Sequence, residues 1–267
     1  MATPSRPPLA GCGILVTRPA RQAAIFATRL AALGATPVIF PAIVILPPED
    51  RRALESALGQ LAQYDVAVFV SANAVEYGVP SGLRWPASVV PVAPGPGTSE
   101  ALAMAGIDGT QVPLERYDSE GMLALPALGA VKGKRVLLFR GEGGRELLAE
   151  TLRGRGASVD EVACYRRVVP QTGAAGLVEV MREHRVDAVT ITSSEGLDNL
   201  WSVLDANGRA LLSALPVFVP HERIAQRAAA LDLDVRLTRG GDAGLIAGLL
   251  EWAARGDATA APRHDGR

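Results

Sequence analysis

KGKRVLLFRGEGGRELLAETLRGRGASVDEVACYRRVVP, from Lys132 to Pro170, reads as strand, glycine-bearing loop, helix and strand. Val136 to Phe139 is a short apolar run that stops at the segment Arg140 to Gly144, the pattern of a fully buried strand feeding a glycine turn. Leu148 and Leu152 stand four apart, with Glu146, Glu150 and Arg153 on other faces, which predicts an amphipathic helix. Gly156 stops that helix, since a glycine past the last turn adopts positive φ without strain. A second apolar stretch then carries Tyr165 into Arg166 and Arg167.

The same unit occurs near the N-terminus as GCGILVTRPARQAAIFATRLAALGATPVIFPAIVI, Gly11 to Ile45. Ile14 to Thr17 is its strand, Thr17, Arg18 and Pro19 its loop, and Ala23, Phe26, Leu30 and Leu33 its buried helix stripe. Gly34 stands 122 residues before Gly156. YDVAVFVSANAV (Tyr64 to Val75) matches VDAVTITSSEGL (Val186 to Leu197), with Ser71 again 122 residues before Ser193. VVPVAPGPGTSEALAMAGI (Val89 to Ile107) matches LPVFVPHERIAQRAAALDL (Leu215 to Leu233), Pro91 standing 125 residues before Pro216. Three units recurring in one order, at a period far longer than a solenoid's, predict two similar α/β halves.

With 267 residues, 48% of them hydrophobic, the chain can build one large or two modest cores. Lys plus Arg number 27 and Asp plus Glu 28, a net charge of -1. No global basic field favours nucleic acid or an anionic membrane as partner. Arginines do gather near the repeated loops, at Arg18, Arg21, Arg140, Arg145, Arg166, Arg167 and Arg223, which suits an acidic ligand. Cys12 and Cys164 supply neither a disulfide framework nor a thiolate metal site, and His184, His221 and His264 are scattered, so no metal is expected. MATPSRPPLAG lacks the apolar core of a signal peptide, and no apolar run reaches the ~18 residues of a membrane span. A soluble, cytoplasmic protein is expected, with residues 1–10 and 256–267 disordered.

Along the chain, Pro41, Pro47 and Pro48 bracket an extended segment suited to an edge or linker strand. Further strands are expected at Val66 to Val70, Val89 to Ala93, Gln111 to Leu114, Ala188 to Thr192, Pro216 to Val219 and Val235 to Thr238. Thr98 or Ser99 would cap one helix and Ser119 another. Strands alternating with helices mean parallel sheets covered on both faces, which bind ligands at the carboxyl ends of the strands. The segments TRP, SAN, PGPGT, RGEGG, SSEG and PHER all fall there, just before helices whose exposed N–H groups and hydroxyls suit carboxylates or phosphates. Ordinary helix capping accounts for any one of them; six together favour a multiply anionic ligand. Dinucleotide, P-loop and nucleophile-elbow fingerprints are missing.

These motifs together resemble the uroporphyrinogen-III synthase family. ILVTRP (Ile14 to Pro19), FVSANAV (Phe69 to Val75), VAPGPGTSEAL (Val92 to Leu102) and DSEGML (Asp118 to Leu123) carry the resemblance. So do LLFRGEGGRELLAETLRGRGA (Leu137 to Ala157), Tyr165-Arg166-Arg167 and ITSSEGLDNL (Ile191 to Leu200), over roughly residues 12–253. The resemblance implies two similar parallel-sheet α/β domains joined by a two-stranded antiparallel linker ladder, with the active site in the cleft. One domain would be residues 11–37 plus 171–255, the other 48–159, and the ladder 38–47 and 160–170.

It further implies cyclisation of hydroxymethylbilane to uroporphyrinogen III, a step of tetrapyrrole biosynthesis, by a monomer without metal or organic cofactor. The enzyme that makes the bilane is a candidate transient partner. Loss of the ring A hydroxyl gives an azafulvene, ring D attacks through its substituted carbon to form a spiro intermediate, and fragmentation with reclosure inverts ring D. The catalytic group implied is Tyr165, whose phenol keeps its proton at neutral pH and can assist hydroxyl departure; a ladder tyrosine packed against the linker is the structural alternative. The implied substrate-binding residues are Thr17, Arg18, Ser71, Ala72, Asn73, Thr98, Ser119, Arg140, Gly141, Gly143, Ser193, Ser194, His221 and Arg223. Helix starts at Ser71, Thr98, Ser119, Gly143 and Ser194 would share the carboxylates, with Arg140 and Arg18 adding longer-range attraction. The chain departs from the family at His221-Glu222-Arg223, where some members carry Thr-Thr or Ser. A non-enzymatic two-domain protein closing on a small polyanion would use the same duplicated halves, and turnover separates the two.

Overall fold

The structure, a computed structural model, describes residues 6–256 apart from 145, 172 and 184. In chain order the strands are β1 (Gly13–Val16), β2 (Thr36–Ile39), β3 (Val44–Leu46), β4 (Val66–Phe69) and β5 (Val90–Val92). They continue as β6 (Arg135–Gly141), β7 (Ser158–Val168), β8 (Ala188–Thr190), β9 (Pro216–Val219) and β10 (Asp234–Leu237). The helices are α1 (Ala20–Ala32), α2 (Arg52–Gly59), α3 (Ala72–Gly78), α4 (Pro96–Met104), α5 (Ser119–Leu123) and α6 (Pro126–Gly129). After them come α7 (Leu147–Gly154), α8 (Ala175–Arg182), α9 (Ser194–Val203), α10 (Ala206–Ser213), α11 (Glu222–Ala229) and α12 (Gly241–Ala254).

The chain forms two compact units, Met1–Val44 with Val168–Arg267, and Ile45–Arg167. The first holds a sheet of order β10-β9-β8-β1-β2 and the second a sheet of order β3-β7-β6-β4-β5. Every neighbouring pair from β10 to β2, and from β7 to β5, is parallel. The two sheets correspond strand for strand, β1 to β6, β2 to β7, β8 to β4 and β9 to β5. In the second unit a single parallel bridge, Val92 to Gln111, takes the place of β10. Gln111 to Leu114 is therefore a bridge and not the short strand expected from sequence.

The repeat seen in the sequence is thus a repeat of sheet topology, with an exchange of parts. β1 and β2 come from the first half of the chain and pair with β8 to β10 from the second. β4 and β5 come from the first half and pair with β6 and β7 from the second. The matched residues hold matched positions. Gly34 and Gly156 end α1 and α7 with φ of 89° and 88°, a left-handed conformation in which a side chain would be strained. Ser71 and Ser193 are the N-caps of α3 and α9, accepting from the N–H groups of Ala74 and Gly196.

The central strands β1, β8, β4 and β6 are buried on both faces, which is why they read as continuous apolar runs, while β2 and β10 at the edges of the first sheet are partly exposed. In the first unit Leu15 points into a core with Leu177, Met181, Leu197 and Ile224, from α8, α9 and α11. Ile14 and Val16 point into the opposite core, with Phe26 and Leu30 of α1 and Leu245, Leu249 and Trp252 of α12. In the second unit Leu137 and Phe139 face Leu54, Val75 and Leu102, from α2, α3 and α4, while Val136 and Leu138 face Met122, Leu128, Leu148 and Leu152. The Phe69 and Phe139 rings stack across β4 and β6 at 4.3 Å. Pro37 and Pro91 lie in β2 and β5, away from the centre of either sheet, where a missing N–H costs least.

Three expectations are corrected. Leu9, placed by sequence in a disordered lead-in, is fully buried in the core that holds Cys12 and Phe26, and its N–H donates to the Leu33 carbonyl at 3.0 Å; residues 1–5 and 257–267 lie outside the described residues. The helix after PGPGT is capped by Gly95, not by Thr98 or Ser99, since Pro96 fixes the first helical position. Asp118 and not Ser119 caps α5, accepting from the Gly121 N–H at 2.8 Å.

Candidate functional site

In the second unit the carboxyl edge of the sheet gathers Ser71 after β4, Gly141 at the end of β6 and Tyr165 in β7. The β6–β7 register shifts between Arg140 and Gly141, so Gly141 stands opposite Tyr165. The Tyr165 ring lies against the bare Cα of Gly141: a Cβ there would sit 2.8 Å from two ring carbons and 3.2 Å from the hydroxyl. Tyr165 is only 3% exposed. Its hydroxyl is 3.1 Å from Ser71 Oγ, and Arg167 Nη1 donates to it at 3.4 Å. The Tyr77 ring tilts against Tyr165 at 6.4 Å between centroids, and Tyr77 is itself tied by its hydroxyl to the Ile45 carbonyl. Ala72 and Asn73, half-buried, open α3 beside this cluster, where the first N–H groups of a helix have no partner within it.

The remaining predicted residues of this unit are more dispersed. Thr98 is buried in the first turn of α4, and Ser119 is the half-buried first residue of α5. Gly143 is exposed at φ 68°, three residues before Glu146, the N-cap of α7, so it is loop and not helix start. Arg140 bends back onto its own unit. Its guanidinium pairs with Glu161, with Glu146 at 3.1 Å, and donates to the Gly143 carbonyl at 3.0 Å. Cys164 packs under Gly78, and burial pushes its thiol up to about 12, so it is a neutral core residue.

In the first unit Thr17 is buried, and its hydroxyl donates to the Thr190 carbonyl at 2.9 Å, stitching β1 to β8. Arg18 stacks on Phe26 and pairs with Asp242 at 2.6 Å, in the first turn of α12. Ser193 caps α9 and Ser194 follows as its first residue. His221 is the exposed N-cap of α11 without a side-chain capping bond, and Arg223 is exposed in its first turn. The two arginines expected to attract a polyanion, Arg18 and Arg140, are therefore both neutralised within the fold. Among the described residues no three His, Cys, Asp or Glu side chains gather as a metal site, and no helix is long and apolar enough to cross a membrane.

A family model described as HEM4, uroporphyrinogen-III synthase HemD, matches residues 25–239. The uroporphyrinogen-III synthase of Salmonella typhimurium LT2 is 37% identical over 198 residues, 71% of this chain and 79% of that protein. The chain belongs to the uroporphyrinogen-III synthase family. The Escherichia coli K12 protein of the same name is 34% identical over 197 residues, covering 72% of this chain and 79% of its own. A uroporphyrinogen III synthase structure from Thermus thermophilus, a methionine-substituted mutant, aligns at TM-score 0.58 and 19% identity over 92% of this chain and 99% of that one. That likeness establishes the mixed α/β fold.

Within this family frame, four residues outside the predicted set support predicted ones, each within its own unit. Arg167 reaches the Tyr165 hydroxyl, and its signal is present in the sequence, since residues two apart on a strand share a face. Asp118 and Asp242 act by capping and by ion pairing. Glu161 offers a pH-dependent handle. Burial pushes its carboxyl up, but hydrogen bonds and charge from Arg140 and Arg153 outweigh that and hold it below the ordinary 4.5. A depressed carboxyl stabilises the fold above its unfolded value, and that stabilisation is lost as pH falls through the folded one. Glu161→Gln should therefore be less stable than the parent near neutral pH, with the gap in urea midpoint closing as pH falls below 4.5. A gap that is constant with pH would contradict the pairing.

Proposed function

We propose that this chain cyclises hydroxymethylbilane to uroporphyrinogen III, with Tyr165 as the acid that assists departure of the ring A hydroxyl. The observation that carries the assignment is the setting of that phenol: buried, opposite Gly141, and bracketed by Ser71 and Arg167 in a chain of this family. The phenolic proton passes to the hydroxyl oxygen, the C–O bond breaks with its electron pair leaving as water, and the azafulvene remains in its protonated, cationic form beside the phenolate. Ring D then attacks through its substituted carbon to give the spiro intermediate, which fragments and recloses. The proton lost when the final ring regains aromaticity returns to the phenolate, so the overall change is loss of one water. General acid assistance of this kind is worth typically ~10²–10⁴-fold.

The bilane cyclises unaided without inversion, so the protein's further task is to hold one conformer, a matter of orientation. Its eight carboxylates would be shared among the helix starts at Ser71, Ala72, Asn73, Thr98, Ser119, Ser193 and Ser194, the exposed loop at Gly143, and Arg223 and His221. Arg18 and Arg140 act in this reading as braces of their loops, because their charges are already paired. The chain crosses between its two units at residues 44–45 and 167–168, inside the segments 38–47 and 160–170, and β3 lies beside β7. That supports reading these segments as the linker ladder between domains 11–37 plus 171–255 and 48–159. We place the enzyme in the cytoplasm as a monomer, receiving the bilane from the enzyme that makes it. Following isomer III formation with hydroxymethylbilane in molar excess separates this from simple sequestration: a synthase forms many equivalents of the inverted isomer, whereas a binding protein forms none and leaves the free bilane to close to isomer I.

A further inference from the structure

We infer that Arg167 and Ser71 aim the Tyr165 proton: both donate to the phenolic oxygen, which leaves the phenol's own hydrogen for an acceptor outside the cluster. The inference rests on Tyr165 being the acid proposed above. Arg167 lies two residues beyond Tyr165 in β7, on the same face of the strand. Its Nη1 donates to the phenol at 3.4 Å, and its guanidinium carbon is 5.7 Å from the ring centroid. A guanidinium can only donate, so this bond fills an acceptor site on the phenolic oxygen.

Ser71 fills the other. Its Oγ, 3.1 Å from the phenol, already accepts the Ala74 N–H at 3.2 Å as the N-cap of α3. The 3.1 Å contact allows either hydroxyl to donate; with one serine lone pair already committed to the helix start, we assign the serine hydrogen to the phenol. The opposite arrangement, phenol to serine, would hold the catalytic proton inside the protein. Gly141 completes the clamp by letting the ring lie flat on the strand, with no side chain to tilt it. Once the proton has left, Arg167 faces a phenolate, and its hydrogen bond becomes charge-assisted and stronger. An interaction that strengthens during the step raises kcat and leaves KM alone. Arg167 is therefore a positioning residue that acts through Tyr165.

The test is a double-mutant cycle on the full-length protein with hydroxymethylbilane, scoring kcat, KM and isomer III formation for Arg167→Met and Arg167→Lys, alone and combined with Tyr165→Phe. Arg167→Met should lower kcat by about tenfold or more, as for loss of one charge-assisted hydrogen bond, while KM stays within about twofold. Arg167→Lys should recover part of that loss. In the Tyr165→Phe background neither change should lower kcat further, because the group they act through is gone. The inference is overturned if Arg167→Met costs as much with phenylalanine at 165 as with tyrosine, if it raises only KM, or if it leaves kcat unchanged. Should Arg167→Met not fold, Arg167→Lys in both backgrounds decides by the same comparison. A parent protein that yields only isomer I would instead remove the reading beneath the inference.

Discussion

Tyr165→Phe is expected to lower kcat for isomer III formation by about 10²-fold or more, the usual contribution of a positioned general acid. The ring is kept, with its packing against Gly141 and its tilted contact with Tyr77. Only the hydroxyl goes, and with it the bonds to Ser71 and Arg167. Their loss should cost stability about 1 kcal/mol, the net worth of a hydrogen bond between groups that water can also satisfy. Activity and folding should therefore separate, kcat collapsing while the thermal unfolding temperature moves little. Undiminished kcat in a folded variant would return Tyr165 to a purely structural role, a tyrosine packed within β7.

Gly141→Ala should approach the same loss by moving the phenol instead of deleting it. The added methyl would lie 2.8 Å from two carbons of the Tyr165 ring, closer than carbon atoms tolerate, so the ring must shift. Gly141 sits in a strand outside the left-handed region, and alanine fits its backbone; the clash with Tyr165 is the specific effect. Overpacking of a buried contact typically costs about 1–3 kcal/mol of stability, which the fold should survive. A displacement approaching an ångström at the reacting group can cost about 10²-fold in rate. Rates and urea unfolding measured together on Gly141→Ala decide the matter. Retention of full activity would mean that the contact between Gly141 and Tyr165 does not position the acid.

Much of this architecture is legible in the sequence, and the reasons are local. Period and turn chemistry reveal the strand-loop-helix-strand units, and the pairs Gly34 with Gly156 and Ser71 with Ser193 occupy equivalent positions in the two sheets. Which strands share a sheet is not local. The pairings β1 with β8 and β4 with β6 exchange parts between the halves, and no short-range pattern specifies them. Capping residues are ambiguous when two candidates adjoin: Asp118 outcompetes Ser119 because its carboxylate reaches the Gly121 N–H, and Pro96 moves the next cap back to Gly95.

Charge is the least legible quantity of all. Arg18 and Arg140 look available to a ligand until the fold brings Asp242, 224 residues away, to one and Glu161 to the other. The role of Tyr165 comes from family resemblance. Its partner Arg167 is within reach of strand periodicity alone, since the two residues are two apart on β7.

The most direct test of the proposed activity is the identity of the macrocycle formed. Hydroxymethylbilane is generated in a coupled reaction with the purified protein, the products are oxidised to porphyrins, and the isomers are separated by chromatography. Uroporphyrinogen III should dominate in the presence of the parent protein, formed faster than the uncatalysed ring closure, and Tyr165→Phe should shift the mixture toward isomer I. Isomer I alone, formed at the uncatalysed rate with the folded parent protein present, would contradict a synthase built around Tyr165.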